Sequence, residues 1–191
     1  MKDESELLAN IRNGALDDFS EIVQQHERLV FSILYRYERD AHLIEDLAQE
    51  TFLKAWHSLN QFDGRAPFSH WLSRIAVHVA IDHLRKRRRT KNQITISELG
   101  ESTLEWLQSD DEHSELQNNE AREVLDLALQ KLSPEEQLVI TLQEIEGKSA
   151  IEIRQLTGWS RVGVRVRAHR ARGKLRNALI QMEKENERRK N

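Results

Sequence analysis

The chain has 191 residues, of which two are proline, seven are glycine and none is cysteine. So few turn-forming residues favour long helices over a β-rich fold, and the absence of cysteine excludes a disulfide scaffold and thiolate metal sites. The net charge of −3 conceals unlike segments: residues 1–92 hold 14 basic and 14 acidic side chains, residues 93–120 hold eight acids and no Lys or Arg, and residues 121–191 hold 15 basic and 10 acidic side chains.

Apolar runs are too short to place the chain in a bilayer, since none approaches the roughly 20 residues that span a membrane. The segment Met1–Asn10 contains acids and no apolar signal core. We therefore expect no secretory signal, and a cytoplasmic location fits the lack of cysteine.

The N-terminal part of the chain predicts four consecutive helices. Apolar residues recur at helical spacing in them, and Asn-Gly, Asp-Gly and Pro mark the breaks. The predicted helices are Asp3–Ile11, a second that Asp17 caps, Leu43–Leu59, and one from Phe68 to about Arg89. The fourth ends in an unbroken basic run, Arg85–Arg89.

Residues 90–119 have no sustained apolar period, and their polar, acidic composition predicts a flexible linker. A small apolar group interrupts this segment: Leu99, Leu104, Trp106 and Leu107. The group either docks on a neighbouring domain or binds a partner. We predict an all-α fold of two small helical domains, residues 1–92 and 120–191, joined by an acidic linker over residues 93–119.

The C-terminal domain is predicted to carry a helix-turn-helix. Ser133-Pro134-Glu135-Glu136 is a capping box with proline at the first helical position. A short helix, Ser149–Leu156, and a turn, Thr157–Ser160, precede a long helix that runs from Arg161 to about Glu183. Two helices with a short Gly-containing turn, the second strongly basic, form a pattern that DNA-binding proteins share.

One face of this last helix fits the major groove of duplex DNA. A stripe of small or apolar residues should pack inward: Val164, Ala168, Ala171, Leu175 and Ala178. The opposite face is slim at its centre and cationic at its sides, and its candidate DNA contacts are Arg161, Val162, Arg165, Val166, Arg167, His169 and Arg170. Arginine can pair with guanine and valine can meet a thymine methyl, while further arginines hold phosphates. The alternative is a basic helix that only faces solvent.

A row on the fourth helix has the chemistry of a single-strand binder. Beside the core stripe lie an aromatic residue, cations and hydrogen-bonding groups: Trp71, Arg74, His78, Asp82, Arg85 and, in the basic run, Arg88. Cations can follow the backbone of a single strand while the other groups meet unpaired bases. Trp71 taken alone is equally compatible with a core aromatic.

The third helix carries a leucine on its outward face. Its core stripe is Ile44, Ala48, Thr51, Ala55 and Leu59, whereas Asp46, Gln49, Glu50 and Leu53 cluster on the opposite side. A leucine among outward polar residues indicates a protein partner, although a single exposed leucine is common on protein surfaces.

Taken together, these segments resemble the extracytoplasmic-function sigma factors of the sigma-70 superfamily over most of the chain. The segments that carry the resemblance are Asp46–Trp56, Phe68–Ala76 with Asp82–Arg85, Leu132–Glu135 and Val164–Arg172. The resemblance implies two helical domains, called regions two and four, joined by a flexible linker. It also implies a protein without catalysis, cofactor, metal or small-molecule substrate.

The resemblance implies partners as well. Core RNA polymerase would bind through its β′ coiled coil to Asp46, Gln49, Glu50 and Leu53, and also through its β flap. The loop from Phe62 to Ser69 would line the pocket for a base flipped from the minus-ten element, and an anti-sigma protein, often membrane-anchored, would hold the factor inactive.

The resemblance also implies two DNA-reading positions. His78 and Asp82 lie where the family reads the minus-ten element, and the last helix would read the minus-thirty-five element as duplex DNA. Many members have Asn at the position of His78, and the usual Gly-Thr is Val162-Gly163 here. Ser is common where Val166 stands. These departures bear on the promoter sequence that the chain reads.

Two other functions remain open on the sequence. A stand-alone helix-turn-helix regulator would bind duplex DNA alone, and would need neither the outward surface of the third helix nor a second basic helix. An enzyme is the other, but the eight histidines are scattered and no His-Glu-x-x-His motif, phosphate loop or nucleophile signature is present. Asp46 and Glu50 could ligate a metal, although paired acids on a helix more often face solvent.

Overall fold

The computed structural model describes residues 3–15, 17–97 and 124–190, and every regular element within these ranges is helical. The elements are α1 (Glu4–Arg12), α2 (Asp17–Leu34), α3 (Ala41–Ser58) with a 3-10 turn (Leu59–Gln61), α4 (Phe68–Ser97), α5 (residues 124–129), α6 (Pro134–Ile140) with a π turn (Thr141–Ile145), α7 (Ala150–Thr157) and α8 (Arg161–Lys190). The predicted all-α fold is confirmed.

The fourth helix is longer than predicted, because α4 continues to Ser97 and does not end near Arg89. Residues 90–97 contain neither Gly nor Pro, so no helix-breaking residue stops α4 before Ser97. The predicted linker therefore begins inside α4. Its remaining part, including the apolar group at Leu99, Leu104, Trp106 and Leu107, lies outside the described residues.

Contacts between α-carbons divide the chain into two compact units. The first comprises Met1–Leu84 and Ile151–Ser160, and the second comprises Arg85–Ala150 and Arg161–Asn191. This division cuts α4 earlier than residue 92 and groups most of α7 with the first unit. The boundaries at residues 92 and 120 stay a prediction from the sequence.

The core of the first unit forms where α2 packs against both α1 and α3. Its largest fully buried side chains come from α1, α2 and α4: Leu7, Ile22, Val30, Leu34, Phe68, Leu72, Val77 and Val79. Each such side chain contributes about 1.5–3 kcal/mol when it leaves water. The predicted core stripe of α3 is also buried.

α3 begins at Ala41, two residues before the predicted start, because Asp40 caps it. The Asp40 carboxylate accepts hydrogen bonds from the backbone N–H groups of His42 at 2.9 Å and Leu43 at 3.2 Å. These are orphan donors of the first helical turn. The cap thereby sets where the outward face of α3 starts.

The second unit is built on the packing of α6 against α8. The predicted capping box is present at the start of α6: the Ser133 hydroxyl accepts from Glu136 N–H at 3.2 Å, and Glu136 accepts from Ser133 N–H at 2.9 Å. Leu138 and Val139 of α6 are fully buried. This short helix is thus held at its start by its cap and along its length by apolar packing.

A tight turn separates α7 from α8. Gly158 has a φ of 73°, a left-handed conformation that favours glycine, and its N–H donates to Arg154 O at 2.9 Å. Trp159 N–H donates to the Thr157 hydroxyl at 3.2 Å. The predicted turn between the two helices is confirmed, and α8 begins at Arg161 directly after it.

Candidate functional site

The predicted outward face of α3 is exposed along its whole length. Asp46, Gln49, Glu50 and Leu53 all face solvent, and Leu53 is 53% exposed. Glu50 also pairs with Lys54 one turn later, at 2.7 Å. The structure therefore brings the four predicted polymerase contacts to one surface.

An apolar groove of about 340 Å³ runs between α2 and α3, and we call it the α2–α3 groove. Its lining comes from both helices: Phe19, Val23, Glu27, Phe31, Glu45, Ala48, Gln49, Phe52 and Leu53. Gln49 and Leu53 belong to the predicted set, whereas Asp46 and Glu50 lie outside the groove. Phe31 is 38% exposed, an unusual position for an aromatic side chain of a helix that packs inward.

Sequence reasoning missed the wall that α2 contributes. Phe31 falls off the apolar stripe of α2, and an aromatic residue on the polar side of an amphipathic helix was the available signal. The groove is not lined by apolar residues alone, because Glu27 and Glu45 also line it. The surface therefore suits a partner that offers apolar side chains together with cations.

Two aromatic residues predicted to meet unpaired bases are half-buried in an aromatic cluster. The ring centroids of Phe62 and Trp71 are 5.5 Å apart, and each lies 5.4 Å from the ring of the buried Phe68. Arg12 of α1 donates to the Phe62 carbonyl oxygen. These contacts hold the start of the loop before α4 in place, so Trp71 serves the packing of the first unit as well as the row.

The polar members of the row are exposed along α4. Arg74, His78, Asp82, Arg85 and Arg88 all face solvent. His78 is oriented by its own helix, because its Nδ1 atom lies 2.6 Å from the backbone oxygen of Arg74. The row therefore presents both cations and hydrogen-bonding groups, as the sequence predicted.

Two cations of the basic run have partners within the second unit. Arg85 contacts Oε1 of Glu135 with both Nε and Nη2 at 2.9 Å, and Arg88 Nη1 donates to Leu132 O at 3.1 Å. Burial would raise the pKa of the Glu135 carboxyl, but its backbone hydrogen bond together with Arg85 and Arg167 outweighs burial and lowers this pKa. Glu135 is thus an ionised partner of the basic run.

The structure divides α8 into the two faces that its sequence predicts. Val164, Ala168, Ala171 and Ala178 are buried. Arg161, Val162, Arg165, Val166, His169 and Arg170 are exposed, whereas Arg167 is half-buried. Val162 reaches 70% exposure, which no packing role explains. The exposed face has the slim centre and cationic sides that a major groove accepts.

Two other cations of α8 are used for packing. Arg172 pairs with Glu144 at 2.8 Å, and Lys174 pairs with Glu136 at 2.8 Å. Burial would raise the pKa of Glu136, but hydrogen bonds from Lys174 and Ser133 outweigh it and lower this pKa. The cations of α8 therefore divide into side chains that pair within the second unit and side chains that face outward.

The described residues contain no group of three or more His, Cys, Asp or Glu side chains placed to hold a metal ion. No helix in the described ranges has both the length and the apolar character that crossing a bilayer requires.

Two family models of known proteins match this chain, one in its N-terminal part and one in its C-terminal part. Residues 22–90 match the family model of sigma-70 region 2, and residues 122–175 match that of sigma-70 region 4. The chain is 35% identical over 178 residues to RNA polymerase sigma factor CarQ of Myxococcus xanthus, which covers 93% of this chain and 98% of CarQ. It is 28% identical over 181 residues to the ECF RNA polymerase sigma factor SigW of Bacillus subtilis, which covers 90% and 94% of the two chains.

A solved structure has the same fold. The structure of CnrH in complex with the cytosolic domain of CnrY matches with a TM-score of 0.56 and 27% identity, over 92% of this chain and 96% of that chain. CnrH is a sigma factor of Cupriavidus metallidurans. Because both region models match and the similarity extends over nearly the full length of its relatives, this chain belongs to the extracytoplasmic-function group of the sigma-70 family of RNA polymerase sigma factors.

Proposed function

We propose that this sigma factor docks on core RNA polymerase through the α2–α3 groove and the acidic face beside it. The observation that carries the proposal is an apolar groove with exposed Leu53 and Phe31 on a helix pair that also presents Asp46, Gln49 and Glu50. Exposed apolar side chains in a groove are costly unless a partner covers them. A β′ coiled coil would fit as that partner, with the β flap as a further contact on polymerase.

Promoter recognition is divided between two surfaces in this proposal. The exposed face of α8 reads the minus-thirty-five element as duplex DNA, because its arginines can reach guanine edges and phosphates. The row on α4 acts on the minus-ten element. Extruding a base from that element costs on the order of a few kcal/mol, which polymerase binding and the cations of the row must offset.

Residues 1–92 would form the polymerase and minus-ten domain, and residues 120–191 the minus-thirty-five domain. CnrH was solved with the cytosolic domain of CnrY, and a comparable protein, anchored in the membrane, would hold this chain inactive as an anti-sigma factor. The chain would work in the cytoplasm by binding and positioning, without a cofactor or catalysis of its own.

Binding to core polymerase tests the docking surface. The double variant Asp46→Arg with Leu53→Ala reverses one charge beside the groove and removes one apolar side chain from it. We expect it to lose co-purification with core polymerase while its helix content, read by circular dichroism, stays unchanged. Leu43→Ala is the matched control, because Leu43 is a 40% exposed leucine of α3 outside the groove. Undiminished binding by the double variant would refute the assignment.

Transcription separates this proposal from a stand-alone regulator. Core polymerase with the purified protein should produce transcripts that start at defined promoters. Duplex DNA binding without any effect on core polymerase would instead support a regulator that acts alone.

A further inference from the structure

We propose that α1 positions the loop Phe62–Ser69, which we call the pocket loop, and that Arg12 is the positioning residue through which it acts. The inference rests on the proposed function, in which the first unit opens the minus-ten element and the pocket loop receives the extruded base. It adds to promoter opening a helix that lies before residues 22–90, the segment that matches sigma-70 region 2.

The first contact from α1 lies where the pocket loop begins. Arg12 Nη2 donates to the backbone oxygen of Phe62 and, at 3.4 Å, to that of Leu59. Both oxygens belong to the 3-10 turn after α3 and its C-cap residue, where the negative end of a helix dipole attracts a cation. Arg12 Cζ also lies 6.0 Å from the centroid of the Phe62 ring. One side chain of α1 therefore holds both the main chain and the ring of the first loop residue.

A second contact from α1 reaches the other end of the pocket loop. The Glu4 carboxylate lies 2.7 Å from Nε2 of His26 on α2. The centroids of the His26 and Phe68 rings are 5.2 Å apart, and Phe68 is the buried first residue of α4. α1 thus contacts the start of the loop directly and supports the aromatic residue near its end through His26.

The middle of the pocket loop is open to solvent between these two ends. Residues 63–67 are all exposed, and Arg65 N–H donates to the Asp63 carboxylate within the loop at 3.1 Å. A loop whose ends are already ordered loses less conformational freedom when it takes up a ligand, and binds it more tightly for that reason. The contacts from α1 therefore favour capture of an extruded base.

Arg12 can be replaced without removing α1 from the fold. The helix is anchored by Leu7, Leu8 and Ile11, which are all buried, and it packs on α2. Arg12 itself is exposed in the last turn of α1. Arg12→Ala therefore removes the contact with the loop and leaves the apolar anchors in place. Arg12→Lys keeps the charge and hydrogen-bond donors but loses the planar fork of the guanidinium.

Promoter opening by core polymerase and the full chain tests the inference. The probe is a promoter selected from a randomised library, and permanganate reactivity of its unpaired thymines reports opening. We expect Arg12→Ala to reduce opening about three- to tenfold, as the loss of one or two hydrogen bonds allows, and Arg12→Lys to reduce it less. Affinity for core polymerase should stay unchanged. Arg28→Ala is the matched control, because it removes a cation from an exposed position of α2, and it should open the promoter as the wild type does.

Promoters with a single abasic site separate positioning of the loop from a general loss of stability. Removal of the extruded base should impair opening by the wild type at one position of the minus-ten element. At that position Arg12→Ala should cause no further loss, because the pocket loop has no base to hold. On promoters with an abasic site elsewhere, the variant should keep its full defect. A purely structural defect would give one constant ratio of variant to wild type on every promoter, and that result would overturn the inference.

The outcomes distinguish this inference from the proposed function on which it rests. Wild-type opening by Arg12→Ala refutes the inference alone, and so does a constant ratio on promoters of which one abasic position impairs the wild type. If no abasic position impairs the wild type, extrusion of a base into the first unit is refuted, and the inference is refuted with it.

A second measurement needs neither polymerase nor DNA. Phe62 N–H donates to the backbone oxygen of Leu59 at 3.1 Å, so hydrogen exchange of this amide in the free chain reports how firmly the start of the pocket loop is held. We expect Arg12→Ala to speed this exchange about three- to tenfold and Arg28→Ala to leave it unchanged. Equal exchange in Arg12→Ala and the wild type would overturn the inference whatever the chain does at promoters.

Discussion

Glu38 joins α4 to the connection between α2 and α3, because its Oε2 atom lies 2.8 Å from Nε2 of His83, 45 residues later in the chain. Its Oε1 atom accepts hydrogen bonds from the backbone N–H groups of Arg39 at 2.7 Å and Asp40 at 3.2 Å. The two side chains are only 10% and 13% exposed. One carboxylate therefore links the cap of α3, which carries the proposed docking face, to α4, which carries the proposed minus-ten row.

Loss of this link should destabilise the first unit. We expect His83→Leu to lower the free energy of unfolding by about 1–3 kcal/mol, because the Glu38 carboxylate stays buried with one partner fewer. Urea denaturation followed by circular dichroism measures the change. His70→Leu, at an exposed position of the same helix, should change it by no more than about 0.5 kcal/mol. Equal stability of His83→Leu and the wild type would show that the contact between Glu38 and His83 does not stabilise the first unit.

The α2 wall of the groove should contribute to polymerase binding. We expect Phe31→Ala to weaken binding to core polymerase at least about fivefold, because a buried aromatic anchor is worth more than about 1 kcal/mol at an interface. Tyr35→Ala is the matched control: Tyr35 is 52% exposed in the turn that directly follows α2, lies outside the groove and stacks on Arg39. Fluorescence anisotropy with labelled protein gives both affinities. A larger loss of affinity for Tyr35→Ala than for Phe31→Ala would indicate that the docking surface lies outside the groove.

The division of the α8 cations into paired and outward-facing side chains predicts unequal effects of two nearby arginines. Arg170→Ala should cost roughly 1–3 kcal/mol of discrimination at one base pair of the minus-thirty-five element. Arg172→Ala should leave base preference intact, because Arg172 already pairs with Glu144 of the π turn. Transcription from promoters randomised in that element distinguishes the two. Equal shifts of base preference would mean that both arginines face the bases.

Helical periodicity was sufficient to predict the faces of α3 and α8. The buried positions Ile44, Ala48, Val164 and Ala168 follow from apolar spacing alone, because a helix places every third or fourth residue on the same side. The exposure of Leu53 and Val162 follows from the same rule. The capping box at Ser133 was equally readable, since its signal is local.

Pairings between distant segments could not be predicted in this way. Glu38 with His83, and Glu4 with His26 at 2.7 Å, join residues that are 45 and 22 positions apart, and no local spacing reports such distances. The groove wall formed by Phe31 depends likewise on how α2 packs against α3. The extension of α4 to Ser97 could not be predicted because residues 90–97 are mostly polar and carry no sustained apolar period, although they contain neither Gly nor Pro.

Acid should weaken the second unit partly through Glu136. Its pKa lies below the ordinary value of 4.5, since the hydrogen bonds from Lys174 and Ser133 outweigh the opposing effect of burial. A carboxyl with a lowered folded-state pKa stabilises the fold above its unfolded-state pKa, and this stabilisation is lost as the pH falls through the folded-state value. In the variant Glu136→Gln, glutamine can still serve in the capping box, but its side chain cannot ionise. We expect unfolding free energy to fall less steeply below about pH 4.5 in this variant, and parallel curves for variant and wild type would contradict the assignment.

The contact of Glu135 with Arg85 should lower the affinity of the free chain for DNA. Arg85 must leave the Glu135 carboxylate before it can contact a phosphate, and Arg167 lies in the field of the same carboxylate. Glu135→Gln should therefore raise the affinity of the free chain for non-specific DNA by up to about fivefold, since a partly exposed ion pair is worth at most about 1 kcal/mol. The salt slope should steepen by about one as one more cation reaches the backbone.

Anisotropy titrations at several salt concentrations measure both quantities. Glu144→Gln is the control, because it removes the same charge from a carboxylate that pairs with Arg172 of α8. An equal gain in the two variants would show that the effect is not specific to the contact of Glu135 with Arg85. A gain confined to Glu135→Gln would mean that this one carboxylate restrains the proposed minus-ten surface until polymerase or DNA displaces it.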